Sequence, residues 1–136
     1  MSTHAVIFCE NSEGTFDDIS VNFDGYIFDG GVGELLVTYW TNVKDIKKLC
    51  GMKREIRSFG KSFEELDVFD DYNTPICSKS INELKGLTFD QMLNKCGNYD
   101  YAYYWGFSNN YEWLLLKSDC TFKSVKGIIE VSRPCH

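Results

Sequence analysis

Between residues 99 and 107 every second side chain is aromatic: Tyr99, Tyr101, Tyr103, Trp105 and Phe107. A strict period of two belongs to an extended strand, which would put all these rings on one face. Asn109-Asn110 can occupy the two positive-φ positions of a tight turn, and Tyr111 to Lys117 then returns as the second strand. That turn predicts Trp105 opposite Leu114 and Tyr103 opposite Leu116 on one face, with Tyr104 opposite Leu115 on the other. So broad an aromatic face suits helices lying across it.

The same alternation marks the N-terminus. Residues 4–10 read as a strand, Asn11-Ser-Glu-Gly-Thr15 as a turn, and Phe16 to Phe23 as a second strand. There Ile19, Val21 and Phe23 alternate with Asp18, Ser20 and Asn22. Four glycines in nine positions (Gly25, Gly30, Gly31, Gly33) then require a loop that visits positive φ or approaches a neighbour closely. A helix follows with Leu35, Leu36, Tyr39 and Trp40 on one face, and a second begins at Asn42, with Val43, Ile46, Leu49 and Cys50 as its apolar stripe and Gly51 as its stop. Lys53 to Lys85 reads as mostly irregular, with one short strand or turn. Thr88 with Gln91 forms a capping box for a third helix ending at Gly97. Thr121–Val125 and Ile128–Val131 are predicted as further strands.

These elements predict an α+β fold: an antiparallel sheet of four to six strands, built on two hairpins, with two or three short helices packed on one face. A chain of 136 residues, 43% of them hydrophobic, is expected to form a single domain over residues 1–136. Fourteen basic against twenty acidic side chains leave a net charge of -6, which argues against direct nucleic-acid binding. The N-terminal apolar run, Ala5 to Cys9, is too short for a signal peptide or a membrane span, so no membrane association is expected. The six cysteines show neither C-x-x-C nor zinc-ribbon spacing, and without an export signal they read as free thiols.

Several segments resemble a family of small proteins of tailed bacteriophages and prophages. They are Thr3-His-Ala-Val-Ile7, Asn11-Ser-Glu-Gly-Thr15, Phe23-Asp-Gly-Tyr26, Gly31-Val-Gly33-Glu-Leu-Leu36 and Tyr39. That family carries a "DGT" turn followed by "HWDGYP.GVG..L..HY". Leu49 to Gly60 resembles its next segment, and Tyr101-Ala-Tyr103 with Trp113-Leu-Leu115 resembles its closing tyrosine-rich hairpin. The family's His-Trp before Asp-Gly-Tyr is Asn22-Phe23 here, so a histidine base at that position would be lost. The resemblance implies an accessory protein, placed in the host cytoplasm, that binds a host factor or blunts a host defence.

The residues themselves offer little catalytic equipment. Only His4 and His136 could serve as an imidazole base. Asp24 and Asp29, flanking the glycine-rich loop, are the one carboxylate pair considered for acid–base or metal chemistry, although Asp-Gly is foremost a turn dipeptide. Gly30-Gly31-Val32-Gly33 before a helix invites a phosphate cradle, but the Gly-x-Gly-x-x-Gly and Walker patterns both fail. The ladder of Tyr101, Tyr103 and Trp105 could stack a nucleotide-like ligand. Glu64, Glu65, Asp67, Asp70 and Asp71 put five acids into eight positions, able to engage a basic partner surface.

The leading expectation is a non-enzymatic binding protein with no cofactor and no bound metal. Its partner would be a host or defence protein, met through the acidic segment or through the loop of Asp24, Gly25, Tyr26, Asp29, Gly31 and Gly33. The alternatives are a binder of a small nucleotide-like ligand and, more weakly, a metal-assisted hydrolase using Asp24 and Asp29.

Overall fold

Burial is continuous along the first strand and broken by half-exposed polar residues along the second. In a computed structural model, which describes residues 3–52, 55–68, 86–106, 111–117, 119 and 121–132, β1 (Ala5–Glu10) and β2 (Phe16–Phe23) form the expected hairpin, with Ile7 opposite Ile19. The Asn11 side chain organises its turn. Its Oδ1 accepts from the Glu13 and Thr15 backbone N–H groups at 3.0 and 3.1 Å, and Gly14 supplies φ 80°.

Beyond this hairpin the sheet departs from the antiparallel expectation. Among the described residues it has seven strands in the order β4-β3-β2-β1-β5-β6-β7, where β3 is Ile56–Ser58, β4 Asp67–Val68, β5 Tyr101–Trp105, β6 Leu114–Leu116 and β7 Phe122–Ser124. β1 pairs in parallel with β5, and β2 in parallel with β3. The sheet is therefore mixed. Alternation specifies the face a residue shows but is silent on the direction of the neighbouring strand. The aromatic strand also pairs one residue out of the expected register, Tyr103 with Leu115 and Tyr104 with Leu114. The Asn109-Asn110 turn and Phe107 lie outside the described residues.

The helices lie on both faces, not one. α1 (Val32–Tyr39), α2 (Val43–Gly51) and α4 (Val125–Ser132) cover one side, where Leu36, Ile46, Leu49, Val125 and Ile129 join Ile7, Ile19, Val21, Tyr103 and Trp105 in the larger core. α3 (Phe89–Cys96) covers the other, where Met92 and Cys96 pack with Val6, Phe8, Phe16, Ala102 and Tyr104. Both faces of β1 and β5 are thus apolar: Ala5 through Phe8 are all fully buried, as expected of a central strand in a covered sheet. The segment predicted as a strand at Ile128–Val131 is instead part of α4. Its Val125 and Ile129 are buried four residues apart, a helical spacing that so short an apolar stretch leaves ambiguous with a strand. In the middle of the chain two short strands flank a 3₁₀ turn, Phe63–Glu65.

The cysteine expectation is corrected as well. Cys9 and Cys50 form a disulfide that ties the end of β1 to the last turn of α2. Cys9 shares the side of β1 that carries Ala5 and Ile7, and Cys50 shares the stripe of Ile46 and Leu49, so packing α2 on the sheet brings the two together. Cys96 is a buried free thiol; Cys77, Cys120 and Cys135 lie outside the described residues. Among the described residues no helix is long and apolar enough to cross a membrane.

Candidate functional site: the acidic end of the sheet

The loop between β2 and α1 is shaped by two aspartates and two close approaches. Asp24 and Asp29 both adopt positive φ (57° and 54°), as does Gly30 (83°). Such non-glycine conformations persist only where the surroundings impose them. A Cβ on Gly31 would lie 2.2 Å from the Tyr26 carbonyl oxygen, and one on Gly33 would lie 2.9 Å from Ile27 Cα, so the loop folds directly onto the start of α1.

That packing decides the phosphate question. The first N–H groups of α1 are donated within the loop: Val32 to the Asp24 carbonyl at 2.9 Å, Gly33 to Tyr26 at 3.2 Å and Glu34 to Ile27 at 2.8 Å. A helix N-terminus binds an anion through those donors, and here they are spent on the chain's own backbone. The glycines serve tight packing.

Around the loop the side chains make an exposed acidic feature. The Tyr26 hydroxyl donates to Asp24 Oδ1 at 3.2 Å. That bond, partial desolvation and the negative field of Asp24 and Asp29 together hold the Tyr26 phenol above its ordinary ionisation range. Both carboxylates are exposed. Among the described residues no group of three or more His, Cys, Asp or Glu side chains is assembled that could hold a metal ion.

The aromatic ladder meets this loop from beneath. Tyr103 is fully buried and donates its hydroxyl to the Gly25 carbonyl at 2.7 Å, while Trp105 is buried in the same core. Desolvation, first, and the nearby Tyr101 push the Tyr103 phenol well above its normal range. Tyr101 is half-buried and stacks on Tyr103, with ring centroids 6.3 Å apart and 11° between planes. The rings expected to line a pocket therefore fill the core, and stacking a ligand on Tyr103 or Trp105 would displace their neighbours.

The acidic segment reaches the same end of the sheet from the other side. Glu64 and Glu65 are exposed in the 3₁₀ turn, where Ser62 Oγ donates to Glu64 at 3.3 Å. The turn is anchored by Phe63, which meets the Trp40 ring edge-on at 5.0 Å and lies under Lys48 Nζ at 4.6 Å. Asp67 is exposed and pairs with Arg57 at 3.5 Å. Asp70 and Asp71 lie outside the described residues.

Strand register then brings these segments together. Phe23 pairs with Ser58, and Ser58 pairs with Asp67. Asp24, next after Phe23, thus leaves the sheet two strands from Asp67, about 10 Å away in backbone terms. On the far side of β2, Ala5 pairs with Tyr101, which places His4 and Asp100 at this end too. There the His4 N–H donates to Asp100 Oδ2 at 2.9 Å. Asp24, Asp29, Asp67 and Asp100 gather at one end of the sheet, with Glu64 and Glu65 in the turn leading into it. Asp100 was absent from the sequence-level candidates because only the parallel β1–β5 pairing brings it here.

Comparison with known protein families, with curated proteins and with solved structures finds no match.

Proposed function

We propose that this chain is a non-enzymatic accessory protein of the phage type, acting by binding and inhibiting a host or defence protein through the acidic end of its sheet. The observation that carries this reading is the convergence of two carboxylate groups from distant parts of the sequence. Asp24 and Asp29 come from one strand's exit, and Glu64, Glu65 and Asp67 from its neighbour's. A rim of exposed carboxylates on rigid strand ends favours a basic partner surface, steers its approach and is weakened by salt. The small-ligand reading draws less support, because Tyr103 and Trp105 are packed in the core. The hydrolase reading rests on Asp24 and Asp29 alone, around a tyrosine whose proton is held tightly.

The test is capture from a bacterial lysate by the immobilised full chain, against Asp24→Asn/Asp29→Asn and Glu64→Gln/Glu65→Gln versions. A stoichiometric protein should be retained by the original chain, released by moderate salt and lost in both variants. Equal capture by all three chains, or an empty eluate, would overturn the proposal.

A further inference from the structure

The loop that carries the acidic end contains two Asp-Gly pairs, Asp24-Gly25 and Asp29-Gly30. Glycine after aspartate leaves its backbone nitrogen open to the neighbouring carboxyl group, because it has no side chain to shield it. Whether that nitrogen reacts depends on how firmly the peptide group between the two residues is held. The fold treats the two pairs in opposite ways.

The Asp24–Gly25 peptide group is fixed on both sides. Its N–H donates to the Thr3 carbonyl at 3.0 Å, and its carbonyl accepts from Val32 N–H at 2.9 Å. Gly25 is buried, and a Cβ there would lie 2.8 Å from Ala5 Cβ, so its surroundings are closed. The Asp24 carboxylate is engaged besides, accepting from the Tyr26 hydroxyl at 3.2 Å. Asp29-Gly30 instead forms the centre of a tight turn, closed by Gly31 N–H donating to the Phe28 carbonyl at 2.9 Å. Both central residues have positive φ, 54° and 83°, as in the type I′ turn that Asp-Gly favours. That closing bond bypasses the Asp29–Gly30 peptide group, whose N–H and carbonyl have no hydrogen-bond partner among the described residues. Both residues are exposed, and a Cβ on Gly30 would meet nothing within 4 Å. The Asp29 side chain therefore has room to reach the Gly30 nitrogen.

We infer that Asp29-Gly30 is a site of spontaneous isoaspartate formation, and that Asp24-Gly25 is protected from it. The Gly30 nitrogen attacks Asp29 Cγ and forms an N–Cγ bond. Its proton and the hydroxyl of the transiently protonated carboxyl group leave as water, and a succinimide ring results. Water then adds to either ring carbonyl. Opening at the N–Cγ bond restores aspartate, whereas opening between the Gly30 nitrogen and the Asp29 main-chain carbonyl leaves the chain running through Cγ. The water lost is regained, so the change is an isomerisation with no redox step. Its product has an extra methylene in the backbone and a carboxylate on the Asp29 Cα. A turn lengthened in this way no longer brings Gly31 N–H to the Phe28 carbonyl, so the loop bearing Asp24 and Asp29 is remodelled as the protein ages. The conversion needs no partner, and its test is separate from that of the proposed binding role.

For that test the full chain is held warm at neutral pH, folded in one sample and unfolded in guanidinium chloride in another. It is then digested, and the isomeric peptides of equal mass are separated and fragmented by electron transfer. Isoaspartate should accumulate at residue 29 of the folded chain at a rate within severalfold of the unfolded one, while residue 24 converts only in the unfolded sample. Isoaspartyl methyltransferase with labelled S-adenosylmethionine should mark the undigested folded protein. Asp29→Glu, whose longer side chain would have to close a larger ring, should abolish that labelling. Asp29→Asn should convert faster, with loss of ammonia and a measurable gain in mass; the folding of both variants is checked by circular dichroism. A folded chain whose residue 29 stays unconverted while the unfolded chain converts would overturn the inference. So would equal conversion of residues 24 and 29 in the folded chain, or undiminished labelling of Asp29→Glu.

Discussion

Tyr103 shows how much one buried polar atom can organise. Its ring belongs to the core, while its hydroxyl supplies the donor that satisfies the Gly25 carbonyl under the acidic loop. Tyr103→Phe leaves that carbonyl without its partner and should cost about 1–2 kcal/mol. Denaturant midpoints will measure the loss, and amide exchange should quicken in residues 24–31. Cys96 gives a pH signature of its own. Burial pushes its thiol from 9.0 up to about 11. The unfolded chain therefore releases this proton at lower pH than the folded one. Stability from this group is complete below pH 9 and declines as pH rises toward 11. Thermal melts between pH 8 and 11 should show the decline, and Cys96→Ala should make it shallower.

The helices are begun in three different ways. α2 uses Asn42, whose side chain accepts from Lys44 N–H at 2.9 Å, and α3 uses the reciprocal Thr88–Gln91 box. α1 has no side-chain cap and relies on the carbonyls of its own preceding loop. α3 depends most on its cap, because it is the only described helix on its face of the sheet and buries just Met92 and Cys96 fully. Thr88→Ala should cost about 1 kcal/mol, read as a lowered melting temperature. Amide exchange should then quicken first in α3, leaving α1 and α2 protected. An ion pair between Lys95 and Asp18 ties the last turn of α3 to β2 and opposes its fraying.

Across the whole molecule, the Cys9–Cys50 bond closes 41 residues that include β2, the acidic loop, α1 and α2. Loop-closure entropy alone assigns such a link about 4 kcal/mol. Reduction, or Cys9→Ser with Cys50→Ser, should therefore lower the unfolding midpoint markedly. Thiol titration of the denatured chain before and after reduction should show at least two additional thiols. An unchanged midpoint would mean that the helices hold the sheet without the link. The two cores share the strands β1 and β5, so unfolding monitored on Trp105 and on Tyr104 should give one coincident transition.

Much of this architecture was readable residue by residue. The period-two runs at Phe16–Phe23 and Tyr101–Trp105, the Asn11 turn, the Thr88 box and the Asn42 cap are local, because each depends on side chains within a few positions of one another. The glycine-rich loop was likewise legible as a close approach, though not what it approached. What local pattern could not carry was partnership. The parallel pairing of β1 with β5, the placement of α3 on the face opposite α1 and α2, the union of Cys9 with Cys50 and the gathering of Asp24, Asp67 and Asp100 at one sheet end all join distant segments. Alternation and capping are short-range chemistry that every sequence window reports, whereas strand order follows from burying both faces of β1 and β5 at once, a condition that exists only when the whole chain is packed.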